Sequence, residues 1–107
     1  MTARDALVLA IDVGSASARA GLFRLDGTMM ARAALPIRIN RPVADHAEHS
    51  SDDIWSAACG AVREAISSAG ADASTIRGLS FDATCSLVML GQAGRPRCHR
   101  HEIPRGT

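Results

Sequence analysis

Ala6-Leu-Val-Leu-Ala-Ile-Asp-Val-Gly-Ser-Ala-Ser-Ala-Arg-Ala-Gly-Leu-Phe-Arg24 is the stretch that decides the fold. Ala6 to Ile11 is a short apolar run rich in β-formers that stops at Asp12, the pattern of a strand buried on both faces. Val13 to Ser17 is small and polar and contains Gly14, which suits a tight turn before a second extended run. Ala18 to Arg24 carries Leu22 and Phe23 and leads into Leu25-Asp26-Gly27, where Asp-Gly marks another hairpin. Thr28 to Asn40 then reads as a third strand. Pro36 has no amide to donate, so that strand belongs on a sheet edge or breaks near its end. Two linked hairpins make a meander.

Residues 41 to 49 lack periodicity and read as a surface loop. A helix follows. Ser50 or Ser51 can cap it, Asp52 and Asp53 suit the positive end of its dipole, and Gly70 closes it. Ile54, Ala58, Ala61, Val62, Ala65 and Ile66 recur on one face, with Trp55 as a packing residue at its start. The alanines permit close approach to a sheet. Ile76 to Phe81 is a fourth apolar run and Leu87 to Leu90 a fifth, separated by the polar break Asp82 to Ser86, with a turn at Gly91 to Gly94. The order is mixed α/β. Arg97 to Thr107 loses apolar periodicity and is expected to be a mobile tail.

A length of 107 residues allows one small domain, and 47% hydrophobic with 21% charged residues excludes intrinsic disorder. The net charge of +1 supplies no field that would attract nucleic acid or an acidic membrane, and 3% aromatic residues leave little for stacking on bases. All 12 basic residues are Arg, which reflects genome composition more than a phosphate-binding surface. The apolar run near the start is too short to span a bilayer or serve as a signal peptide. Cys59, Cys85 and Cys98 form no CxxC pair, so no disulfide framework is implied and a reducing cytoplasm is expected. Cys98, His99 and His101, with His46 and His49 elsewhere, lack the spacing of a zinc site. Cys85 has no His beside it in sequence and reads as a structural thiol.

The chemistry sits in the turn. Asp12 places a carboxylate at a strand end, Gly14, Ser15 and Ser17 offer amides and hydroxyls, and Arg19 adds a guanidinium. Such a turn can hold phosphate oxygens while the carboxylate holds a metal ion or its water. The same residues also suit a plain hairpin. A Walker A loop is excluded, because it needs Gly-Lys-Ser/Thr and the chain contains no lysine.

Ala10 to Phe23 resembles the phosphate-1 segment of the FGGY family of carbohydrate kinases, which belongs with actin and hexokinase in one ATPase superfamily. Asp26-Gly27 at the hairpin and Glu48-His-Ser-Ser-Asp-Asp-Ile-Trp55 entering the helix continue the likeness in order. Gly78-Leu-Ser-Phe-Asp-Ala-Thr-Cys-Ser-Leu-Val88 is similar to the pentulose kinase branch, which includes D-ribulokinases and ribitol kinases. Together these cover residues 6 to 96. The resemblance implies an α/β, ribonuclease H-like (actin/hexokinase ATPase) core, with residues 1–96 as the N-terminal part of lobe I: a mixed sheet with one main helix. It implies ATP as co-substrate and Mg²⁺ as cofactor, with Asp12 beside the metal through water. Gly14, Ser15, Ser17 and Arg19 would face the phosphates, and Asp82 and Thr84 the hydroxyls of a pentulose or pentitol. Read without the resemblance, Asp82 is a strand-end carboxylate capping a turn. Ala83 stands where glycerol kinases carry Arg, which argues against glycerol.

In the family the general base is an Asp far downstream and the adenosine pocket comes later still, so the 107-residue chain is expected to be inactive alone. The family's Trp-x-Asp-x-Arg stretch has no match in residues 97–107, and a frameshift, an early stop or a cloned piece is the expected reason. Two alternatives stay open. One is a sugar kinase of another superfamily branch, which shares the Asp12 turn but does not require Phe81 to Ser86. The other is a non-catalytic relic or interaction module that self-associates through an exposed sheet edge.

Overall fold

The computed structural model describes residues 5–40 and 48–83. Strand β1 (Leu7–Val13) continues past Ile11, so Asp12 lies within the strand and not after it. Val13 and Ser17 bracket the first hairpin, which is closed where the Gly14 amide donates to the Ser17 carbonyl at 2.9 Å. β2 (Ser17–Arg24) returns antiparallel. The second hairpin is built on Asp26, whose Oδ1 accepts from the Thr28 amide at 2.9 Å, and on Gly27 at φ 93°, a left-handed conformation that glycine adopts without a Cβ clash. Those bonds to Thr28 hold the Asp26 carboxyl below its ordinary value.

β3 (Met29–Pro36) ends at the proline and forms the outer strand of a four-stranded sheet ordered β3-β2-β1-β6, with β6 formed by Ile76–Ala83. Edge placement and a break at Pro36 are thus both realised. The chain then forms β4 (Ile39–Asn40), which pairs antiparallel with β5 (Glu48–His49), so the last two residues of the expected loop are a short strand. After the helix, β6 (Ile76–Ala83) lies parallel to β1 and makes the sheet mixed. It includes Asp82 and Ala83, two residues beyond the sequence expectation.

Helix α1 (Ser51–Ala69) has the expected ends. Ser50 is extended and its hydroxyl accepts from the Asp53 amide at 3.4 Å, while Gly70 takes φ 62° and its amide reaches back to the last turn. The helix lays Ala57, Ala61 and Ala65 on the sheet, with Ile54, Ala58, Val62 and Ile66 flanking them. Ala57 extends the face read from the sequence. Gly60 sits against Leu35, whose side chain occupies the place a Cβ would take. On the sheet side the core is Leu7, Leu9, Ala18, Ala20 and Leu22, and Leu22 is 0% exposed.

Burial on both faces of β1 is corrected. Leu7 and Leu9 are buried under α1, whereas Ala10 and Asp12 alternate onto an exposed face, because the described residues place a helix on one side only. A second correction concerns Trp55, which is 72% exposed and packs nothing into the core. It lies about 100° around the helix from Ile54, off the face that meets the sheet. β6 shows the same logic at a strand. Register aligns Leu79 with Leu9 and Phe81 with Ile11 on the helix side, but α1 crosses β2 and β3, leaving Leu79 63% and Phe81 71% exposed. The fifth apolar run, the Gly91 turn and the tail 97–107 lie outside the described residues.

Candidate functional site

Register brings three charged residues into one row. Asp12 of β1 is the direct cross-strand partner of Arg19 on β2 and of Asp82 on β6. Partners in register project to the same face, and adjacent strands lie about 4.8 Å apart. The row therefore runs Asp82, Asp12, Arg19 across the face opposite α1, at the end of β1 from which the first hairpin leaves. Arg19 Nη2 lies 2.7 Å from Asp12 Oδ2, and both side chains are 52% exposed. Screening by water keeps such a pair to roughly 0–1 kcal/mol, so it orients two groups without locking them.

The turn supports this pair from above. Gly14 spends its amide on the Ser17 carbonyl, so it shapes the hairpin and does not offer that N–H outward. Its missing side chain has a second use: a Cβ there would lie 2.9 Å from Arg19 Nη2. The guanidinium thus occupies the space between Asp12 and the turn. Ser15 is exposed at the tip and Ser17 is half-buried at the start of β2. Asp82 is exposed, and its Oδ1 accepts from the amide of the next residue, Ala83, at 2.9 Å, while the break it was expected to cap lies outside the described residues. Thr84 lies outside the described residues. Of the residues singled out in the sequence, Asp12, Gly14, Ser15, Ser17, Arg19 and Asp82 are gathered at one end of the sheet.

Below the row the face forms an open groove of about 560 Å³, floored by Gly21 and Ser80 and flanked by Phe23 and Arg32. The Phe23 ring lies over Gly21, where a Cβ would come within 2.7 Å of it. Phe23 and Arg32 were not among the residues read as functional. Their signal was available: Arg19, Gly21 and Phe23 alternate along β2 and must share a face.

Among the described residues no three His, Cys, Asp or Glu side chains converge on a metal position. That does not disfavour magnesium, which keeps several waters and takes one or two carboxylates together with phosphate oxygens. Asp12 fits this demand, being a half-exposed hard oxygen donor on the open face beside a turn of hydroxyls. The zinc candidates Cys98, His99, His101 and His46 lie outside the described residues, as does Cys85. No described helix is long and apolar enough to cross a membrane.

The sequence model for the N-terminal domain of the FGGY family of carbohydrate kinases matches residues 7–96. A curated "FGGY carbohydrate kinase domain-containing protein" of Danio rerio is 48% identical over 86 residues, 80% of this chain and 15% of the relative. A D-ribulokinase of Saccharomyces cerevisiae is 40% identical over 80 residues, covering 75% of this chain and 11% of that protein. Among solved structures, xylulose kinase from Rhodospirillum rubrum superposes with a TM-score of 0.76 at 25% identity, over 86% of this chain and 19% of its own. The chain therefore spans less than a fifth of the length of these relatives.

Proposed function

Since the chain belongs to the FGGY family of carbohydrate kinases, carries that family's N-terminal domain and has its actin/hexokinase ATPase fold, we propose that the protein of which it is part transfers the γ-phosphoryl group of ATP to a hydroxyl of a pentulose or pentitol. The observation that carries this reading is the row Asp82–Asp12–Arg19 beneath the Gly14–Ser17 turn.

Phosphoryl transfer asks little covalent work of a protein: it needs an in-line geometry, charges that absorb developing negative charge, and a base for the hydroxyl proton. Arg19 supplies positive charge where the γ-phosphate would lie, and its planar fork suits phosphate oxygens. The Ser15 and Ser17 hydroxyls offer neutral hydrogen bonds at the turn. Asp12 would hold Mg²⁺ through water, and the bound ion would neutralise phosphate charge. Asp82, one strand away, would accept hydrogen bonds from the polyol, joined by Thr84. Ala83 leaves free the volume that an arginine would fill, and this favours a pentulose or pentitol over glycerol. No described side chain acts as the base in this scheme, because Asp12 is committed to the phosphate side.

Two assays test the reading. ADP release by the intact gene product, followed with D-ribulose, ribitol, D-xylulose and glycerol, is expected to be highest with ribulose or ribitol; equal rates with glycerol would remove the substrate assignment. The 107-residue chain alone is expected to show no sugar-dependent ADP release, and turnover by it would overturn the placement of the base elsewhere. A second reading, a self-associating module, is favoured by Leu79 and Phe81, exposed on an outer strand of the described sheet. Its mark would be oligomers in sedimentation that persist when Asp12 is replaced.

A further inference from the structure

The Arg19–Asp12 contact has a consequence for how the site loads. We propose that Arg19 and a divalent cation are alternative partners of Asp12, so that Arg19 passes from the carboxylate to the phosphate when metal and nucleotide enter together. The proposal rests on the phosphate-side reading of this turn.

Four observations carry it. Arg19 Nη2 sits 2.7 Å from Asp12 Oδ2, within the shell any metal-bound water on that oxygen would claim. The same terminal nitrogen lies against Gly14, so the guanidinium already borders the turn and needs only a side-chain rotation to exchange one neighbour for the other. Both partners are half-exposed, which makes the pair cheap to open. Charge settles the direction. With Arg19 in place the row Asp82–Asp12–Arg19 sums to one negative charge, and with Arg19 turned to phosphate it presents two, matching a dication. Asp82 stays where it is through its bond from the Ala83 amide. Arg19 therefore competes with the metal for Asp12 before it becomes a phosphate ligand.

The test uses the intact protein and Mn²⁺ as the probe, read by electron paramagnetic resonance of free Mn²⁺, first alone and then with the non-hydrolysable analogue AMP-PNP. Removing the competing cation in Arg19→Gln is expected to tighten binding of Mn²⁺ alone by about fivefold at low ionic strength, shrinking at high salt. The same variant is expected to bind Mn²⁺–AMP-PNP more weakly than wild type. Arg19→Lys, which keeps the charge, should leave Mn²⁺ alone near the wild-type value. Opposite signs for the two ligands are the signature, since a merely structural role would weaken both. If Arg19→Gln weakens both, or leaves binding of Mn²⁺ alone unchanged, the exchange is overturned. Asp12→Asn separates this from failure of the underlying reading: it should lose Mn²⁺ with or without nucleotide, and a variant that binds both as wild type does would remove Asp12 from the phosphate side and the exchange with it.

Discussion

Gly14 has no side chain because Arg19 uses the room. An added methyl would lie 2.9 Å from the guanidinium, closer than a Cβ tolerates, and 3.3 Å from the Ser17 carbonyl oxygen, a tight contact that a shift of a few tenths of an ångström relieves. The guanidinium is the mobile end of a long side chain, so Gly14→Ala is expected to fold with a midpoint near wild type yet to displace Arg19 from Asp12. Weaker binding of AMP-PNP by the intact protein, with unchanged circular dichroism, would register this; unchanged affinity would show that Arg19 reaches the phosphate independently of Gly14. In the core the contrast is Leu22, fully enclosed between α1 and the sheet. Leu22→Ala should cost about 2–5 kcal/mol, measured by urea unfolding. Residue types in the turn were readable from sequence because hydroxyls, glycine and charge have fixed chemistry. Which of them touch was not, since the Asp12–Arg19 contact depends on a register that only the closed hairpin sets.

Helix α1 has ends set by neighbouring residues and a packed face set by the sheet it meets. Its caps are local, a serine hydroxyl before the first turn and a left-handed glycine after the last, and both were legible at Ser50 and Gly70. Its contacts are not local. Trp55 was expected to pack and is exposed, because a helix face is drawn by the surface it meets and α1 meets β2 and β3 through alanines. Close approach has a testable cost: Gly60→Val puts a branched carbon where Leu35 lies, and destabilisation of about 1–3 kcal/mol is expected by the same urea assay. The turn that leads from α1 into β6 is held by Asp72, whose Oδ1 accepts from the Ser74 amide at 3.0 Å. That bond, like those from Thr28 to Asp26, lowers the folded-state pKa below 3.8. A lowered pKa stabilises the fold above the unfolded value and is lost as pH falls through the folded one. Unfolding midpoints of Asp26→Asn/Asp72→Asn should therefore fall less steeply than wild type below about pH 4. An acid limb identical in slope would show that these two carboxylates do not contribute to it.

For the whole molecule, the uncovered surfaces matter more than the covered ones. The described sheet has α1 on one face and an open groove on the other, and among the described residues Leu79 and Phe81 of β6 are large apolar side chains left exposed. The matched segment is 15% of the Danio rerio relative and 19% of the Rhodospirillum rubrum xylulose kinase, so most of each relative lies outside the region of similarity. The meander of β1, β2 and β3 and the edge at Pro36 followed from hairpin signals, which are short-range features, whereas the parallel place of β6 beside β1 is a long-range pairing that those signals do not carry. Nor do they carry the open face. A run such as Ala6 to Ile11 is equally apolar whether one or both sides are covered, so composition could not separate the cases. Of the proposed site, one end is now placed in three dimensions: Asp12, Arg19 and Asp82 share a face and a level. Whether this row handles the transferred phosphate is decided by the turnover of Asp12→Ala in the intact protein with D-ribulose and Mg²⁺–ATP. The expected result is a fall in kcat of at least about 100-fold with the fold retained by circular dichroism. A variant turning over within a few-fold of wild type would contradict it.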